Sequence, residues 1–135
     1  MHEWALAEAV VATVEKIRRE NGGRPVLSVS LRLGELQGVD PEAFRAGLAA
    51  ALGGLPYGPE TFRLLSDEAA FRCRACGRLW PLADSPGISQ EEREAIHFLP
   101  ESAHAYLRCP GCGSPDFALA AGRGVSIESV ELGGD

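Results

Sequence analysis

The sequence predicts an α+β protein in which a small mixed sheet packed by two helices is interrupted by a ribbon-like domain built on four cysteines. Three observations predict it. Leu6, Val10, Val14 and Ile17 recur at helical spacing, residues 27–33 alternate strictly between apolar and polar, and every cysteine falls in one of two C-x-x-C pairs in the second half. The order helix, strand, helix, strand, with a strand returning at the C-terminus, places both termini in one sheet domain. That gives residues 1–68 plus 118–135 as the sheet domain and 69–117 as the insertion.

The first helix begins almost at Met1, carries Glu8, Glu15, Arg18 and Arg19 on its polar faces, and ends at Asn21-Gly22-Gly23. Leu27, Val29, Leu31 and Leu33 then share one strand face, with Ser28, Ser30 and Arg32 on the other. Asp40-Pro41 supplies an N-cap and a first-turn proline to a helix whose stripe is Phe44, Leu48 and Leu52, closed by Gly53-Gly54. A strand from Thr61 to Leu65 follows, and another from Ala70 runs into Cys73. Between the cysteine pairs lie 32 residues, 77–108, more than a compact ribbon needs. They include a polar helical piece from Ser89 to Ile96. Near the C-terminus Val125 and Ile127 lie on one parity and Val130 and Leu132 on the other, so a bulge near Glu128-Ser129 is expected.

Cys73-Arg74-Ala75-Cys76-Gly77 and Cys109-Pro110-Gly111-Cys112-Gly113 read as one tetrahedral zinc site. Two residues between thiolates let both sulfurs face one ion, and the following glycine permits a positive φ where the chain turns away. Disulfides suit small secreted domains, but the first 17 residues have no apolar signal core, which places the chain in the cytoplasm. A thioredoxin-like pair would open a helix after a strand, whereas these flanks read as strands entering turns. A hydrolytic zinc enzyme would need an open coordination position, which four cysteines do not leave.

With 135 residues, 45% of them hydrophobic, the chain can bury one modest core and a metal-stapled satellite. No stretch approaches the roughly 20 apolar residues of a membrane span. The formal net charge is -6, and residues 69–113 balance five arginines against five acids, so a zinc module that grips nucleic-acid phosphates is the alternative reading, not the favoured one.

Met1-His2-Glu3 carries a second chemistry. A terminal amine, the His2 amide nitrogen and the His2 imidazole close fused chelate rings on one cation, and the Glu3 amide nitrogen or a distant side chain completes four positions. Nitrogen-rich square-planar coordination suits Ni(II) or Cu(II), not zinc. The first amides of a helix have no intrahelical carbonyl partner, so metal can use them without breaking a helical bond. The alternative use of His2 is an ordinary exposed histidine, and of Glu3 a first-turn acid at the positive helix end.

Met1-His2-Glu3, Leu33-Gly34-Glu35-Leu36 followed by Gly38-Val39-Asp40-Pro41-Glu42, and the two C-x-x-C pairs together resemble the HypA/HybF family, nickel metallochaperones of nickel–iron hydrogenase maturation, some of which also serve urease. The resemblance covers nearly the whole chain. It implies a nickel-binding α/β domain holding both termini, a zinc domain inserted in it, and no catalysis. Nickel falls on His2, with Met1 and Glu3 supplying backbone groups, and zinc on Cys73, Cys76, Cys109 and Cys112. The implied partners are an accessory GTPase of the HypB type and the hydrogenase large subunit or its maturation complex, with neither nucleic acid nor membrane involved. The spacer is longer than in many members and brings in His97 and His104. His97 is the preferred further nickel donor because it directly follows the expected helix, while His104 lies beyond Pro100; an ordinary surface histidine is the alternative for both. Asp40 is explained by its N-cap role.

Overall fold

The computed structural model describes residues 3–85 and 87–134, so Met1 and His2 lie outside the described residues. Its elements are α1 (Glu3–Glu20), β1 (Val26–Gly34), a 3-10 turn (Glu35–Gln37), α2 (Pro41–Ala51), β2 (Phe62–Asp67), β3 (Ala70–Cys73), β4 (Leu79–Pro81), α3 (Gln90–Phe98), α4 (Ala103–Tyr106), β5 (Phe117–Ala121) and β6 (Val125–Leu132). They form an α+β protein with two three-stranded sheets, ordered β2-β1-β6 and β4-β3-β5. The chain divides into two compact units, one of residues 1–32, 39–65 and 125–135, the other of 33–38 and 66–124. The second unit thus reaches past 69–117 at both ends and adds the segment 33–38. No helix among the described residues is long and apolar enough to cross a membrane.

In the first unit α1 packs along α2. Ala7, Val10, Val11 and Val14 are buried, while Leu6 and Ile17 are only half-buried, so the inward stripe is rotated from the one expected. Gly47 of α2 explains the rotation. A Cβ there would sit 3.1 Å from both the Ala7 Cβ and the Trp4 Cα, so the absence of a side chain at Gly47 lets α1 lie against α2 along the Ala7 side. Asp40 caps α2 as expected, its side chain accepting from the Glu42 N–H at 3.0 Å. Val29 and Leu31 of β1 are fully buried, but Leu27, expected on the same face, is 56% exposed while its neighbour Val26 is buried, so the inward face shifts by one residue at the start of the strand. β2 starts one residue later than expected, because a 3-10 turn takes up Pro59–Thr61. Along β6, Val125, Ile127, Val130 and Leu132 are all half-buried, and Glu128 and Ser129 are exposed side by side, so the inward face does change there.

In the second unit Phe71, Trp80 and Phe117, one from each strand, form an aromatic triangle with centroids 5.4 to 5.6 Å apart. Antiparallel register places Trp80 and Leu119 opposite Phe71, and Phe117 opposite Cys73. Leu36, Leu82, Ile96, Ala103 and Leu107 complete this core. α3 opens on a capping box in which the Ser89 hydroxyl accepts from the Glu92 N–H and the Glu92 carboxylate from the Ser89 N–H. It runs through Phe98, so His97 lies in its last turn instead of after it. Leu99, extended ahead of Pro100, ends it.

Candidate metal centre

β3 delivers Cys73 and the chain before β5 delivers Cys109 and Cys112 to one place by repeating a single backbone turn. The Cys73 carbonyl accepts from the Gly77 N–H at 3.0 Å, and its own N–H donates to the Arg78 carbonyl at 2.8 Å. The Cys109 carbonyl likewise accepts from Gly113 at 2.8 Å, and its N–H donates to Ser114 at 3.0 Å. Gly77 and Gly113 sit at φ +79° and +76° with open space around them, so the demand for glycine is conformational. In each turn a backbone N–H points at the leading sulfur, Cys76 N–H at Cys73 Sγ and Gly111 N–H at Cys109 Sγ, both at 3.4 Å. Arg74 joins the turns, bonding the Asp116 carboxylate at 2.9 Å while its own N–H donates to the Asp116 carbonyl.

The four Sγ atoms all lie within 4.8 Å of one another, with Cys73 3.5 Å from Cys112 and Cys76 3.6 Å from Cys109. A tetrahedron with metal–sulfur bonds of about 2.3 Å has edges of about 3.8 Å, so the set fits zinc. The cysteines are free thiols. Their protons make the same point. The Cys76 N–H draws Cys73 below the ordinary thiol range. Burial opposes ionisation of Cys109, yet the N–H groups of Cys112 and Gly111 prevail and bring it to about 6. Cys112 moves to about 12: the Ser114 N–H pulls it down, but its contact with Cys73, burial and the other two thiols prevail. Four mutually touching thiols thus resist complete ionisation, and a divalent cation, which deprotonates its thiol ligands outright, removes that resistance. Cys73 and Cys109 are buried and Cys76 and Cys112 exposed, so the cluster sits at the surface with one inner edge.

The described candidates outside the cysteine cluster are Glu3, His97 and His104. Glu3 opens α1, is largely buried, and its carboxylate accepts from the Asp40 N–H at 3.2 Å, which bonds the first turn of α1 to the cap of α2. His97 is half-buried, its Nδ1 3.1 Å from the Glu35 carbonyl oxygen. His104 stacks on Phe117 with centroids 4.3 Å apart, which explains it as packing over the aromatic core. Glu35, which enters the sequence reading only as part of the Leu33-Gly34-Glu35-Leu36 motif, meets His97 through its carbonyl, and its carboxylate accepts the Ala69 N–H at 2.7 Å. A surface cleft of about 280 Å³ lined by Glu35, Ser66, Asp67, Glu68, Pro81 and Ala83 offers carboxylates, but Glu35 and Asp67 already hold the Ala69 and Gly122 N–H groups.

Residues 1–132 match the family described as "Hydrogenase/urease nickel incorporation, metallochaperone, hypA". The chain is similar to the hydrogenase maturation factor HypA of Thermococcus sibiricus, 39% identical over 136 residues that cover 100% of this chain and 99% of that one. It is 42% identical over 134 residues to the factor of the same name from Pyrococcus horikoshii, covering 98% and 96%. Its fold resembles the solution structure of the Ni metallochaperone HypA from Helicobacter pylori, with a TM-score of 0.61 at 15% identity over 98% of this chain and 97% of that one.

Proposed function

The chain belongs to the HypA family of nickel-incorporation metallochaperones, which are maturation factors and not enzymes, and on that footing we propose that it binds Ni(II) at its N-terminus and delivers it for nickel–iron hydrogenase maturation. The observation that carries the proposal is the match to a nickel-incorporation family from residue 1 onward, joined to a helix that starts at Glu3. The amine of Met1, with the amide and imidazole nitrogens of His2, supplies the chelate, and the Glu3 amide nitrogen belongs to a helix turn that asks no intrahelical partner of it. His97 provides a further nickel donor. Nickel is cargo, so its site must be open enough to release it.

Zn(II) is the resident metal, held by Cys73, Cys76, Cys109 and Cys112, and its role is to hold the second unit folded. An accessory GTPase of the HypB type receives the nickel, the hydrogenase large subunit or its maturation complex is the destination, urease is a second client, and the chain works in the cytoplasm.

Equilibrium dialysis with metal analysis tests the nickel site. The zinc-loaded chain is expected to bind one additional Ni(II), and a His2→Ala variant and a chain with one residue added before Met1 are expected to lose it. Equal nickel binding by all three overturns the N-terminal site. Because amine, amide and imidazole must shed protons to bind, affinity should fall on acidification through roughly pH 8 to 6, and a flat profile across that window contradicts the ligand set.

A further inference from the structure

The Leu33-Gly34-Glu35-Leu36 segment contains none of the proposed ligands, yet its main chain meets one of them. His97 Nδ1 lies 3.1 Å from the Glu35 carbonyl oxygen. A carbonyl oxygen only accepts, so this contact is a hydrogen bond when Nδ1 carries the proton. The neutral ring then has its lone pair on Nε2. We propose that Glu35 is the positioning residue that presents His97 to nickel through Nε2, a proposal that rests on the reading of His97 as a nickel donor.

Both ends of the contact are anchored. The Glu35 carboxylate accepts from the Ala69 N–H at 2.7 Å, and its neighbours Gly34 and Leu36 donate to the Gly124 and Gly122 carbonyls, each at 2.8 Å. Leu36 is buried in the core of the second unit, and the Glu35 carbonyl also closes its own turn by accepting from the Gly38 N–H at 3.4 Å. On the other side, His97 is carried by a capped helix whose preceding residue, Ile96, is fully buried. The carbonyl therefore meets the ring at a set place. A metal-binding imidazole commonly donates its second N–H to a carbonyl or carboxylate, which selects the tautomer and orients the ring, and loss of that partner typically costs 10- to 100-fold in metal affinity.

The test is long-range 1H–15N correlation of the histidine rings in the labelled, zinc-loaded chain at about pH 8, where a free imidazole is neutral, before and after one equivalent of Ni(II). The expected result is a protonated Nδ1 and a bare Nε2 on His97, with nickel moving Nε2. Glu35→Ala keeps the carbonyl but loses the Ala69 bond that anchors it, and is expected to mix the tautomers and lower nickel affinity by up to about 10-fold, the smaller end of the range for outright loss of such a partner. Glu35→Gln keeps an oxygen that accepts the same N–H and should restore both. A native ring protonated at Nε2 while nickel still moves its signals overturns the role of Glu35 alone, as does a Glu35→Ala variant unchanged in tautomer and affinity. Nickel bound with every His97 ring signal unmoved overturns the donor reading of His97, and presentation to nickel with it.

Discussion

Gly34→Ala is the substitution whose cost the structure defines most sharply. A Cβ at Gly34 would lie 2.4 Å from the Gly122 oxygen, 2.5 Å from its carbon and 2.8 Å from the Arg123 carbon, all main-chain atoms that cannot swing aside. Ordinary contact begins at 3.4 Å, so 3.4 minus 2.4 requires the two segments to part by about 1 Å. The same two segments are joined by the Gly34 N–H to Gly124 and Leu36 N–H to Gly122 bonds, both at 2.8 Å, which that movement stretches beyond bonding range. Two net bonds at about 1 kcal/mol each, with part of the burial of Leu36, give about 3 to 4 kcal/mol. Gly38→Ala is the control. It meets nothing within 4 Å but sits at φ +64°, so it should cost only about 1 to 2 kcal/mol. The assay is urea unfolding of the zinc-loaded chain in a Trp4→Phe background, which leaves buried Trp80 as the sole indole reporter of the second unit. A Gly34→Ala variant no less stable than Gly38→Ala refutes the reasoning.

Removing zinc with a strong chelator should shift the Trp80 emission to the red and have it return on adding zinc back, while the far-UV helical signal of α1 and α2 changes much less; an unmoved emission maximum contradicts zinc as the support of the aromatic core. Tyr57→Phe removes a 2.6 Å bond from the Tyr57 hydroxyl to the Glu15 carboxylate, which also holds Arg18 at 2.8 Å, and should cost about 1.5 to 3 kcal/mol at neutral pH. Arg18 first and Tyr57 after it hold the Glu15 carboxyl below its ordinary range against burial, so the stability it adds is present above its unfolded pKa and lost as pH falls through its lower folded value. The gap between wild type and Tyr57→Phe in chemical denaturation should therefore narrow on acidification, and a gap that widens is the wrong sign. Ser89→Ala deletes half of the capping box and should destabilise α3 by about 1 kcal/mol, visible as faster amide exchange in its first turn but not in α1.

The features legible in the sequence are those whose cause is local. Asp40-Pro41 reads as a cap because the capping bond spans two residues, and the cysteine turns read from spacing because each closes within six residues on its own backbone. The strand into Cys73 and the change of face at Glu128-Ser129 followed from alternation alone. What escaped depends on distant partners. Gly47 looks like a weak point in a helix until α1 lies across it, and Leu27 looks buried until Val26 is seen to take the inward position at the start of the strand. β4 and β5 carry too few residues for periodicity to act on, Leu79–Pro81 and Phe117–Ala121, and exist because β3 pairs with both. Glu35 escaped for the same reason, since its two bonds reach residues 34 and 62 positions away.

A chain that carries nickel while holding four thiols must keep the two metals apart, and affinity does not do that, because Ni(II) binds thiolates well and the ordinary affinity order places it close to zinc. Geometry and ligand type decide instead. In each cysteine turn the carbonyl bond to the following glycine and the N–H bond to the residue after it hold the sulfurs as a pair, and Arg74 with Asp116 ties one pair to the other. Flattening the set into the square plane that Ni(II) prefers would strain those backbone turns, whereas the tetrahedron that zinc accepts follows from them. Apart from His97, the proposed nickel donors are nitrogens at a helix start, where the amides have no helical bond to lose. On the proposed reading, the sulfur cluster would remain the folding metal's site while nickel comes and goes at nitrogen donors, and the long spacer between its pairs carries α3, His97 and the contact to Glu35.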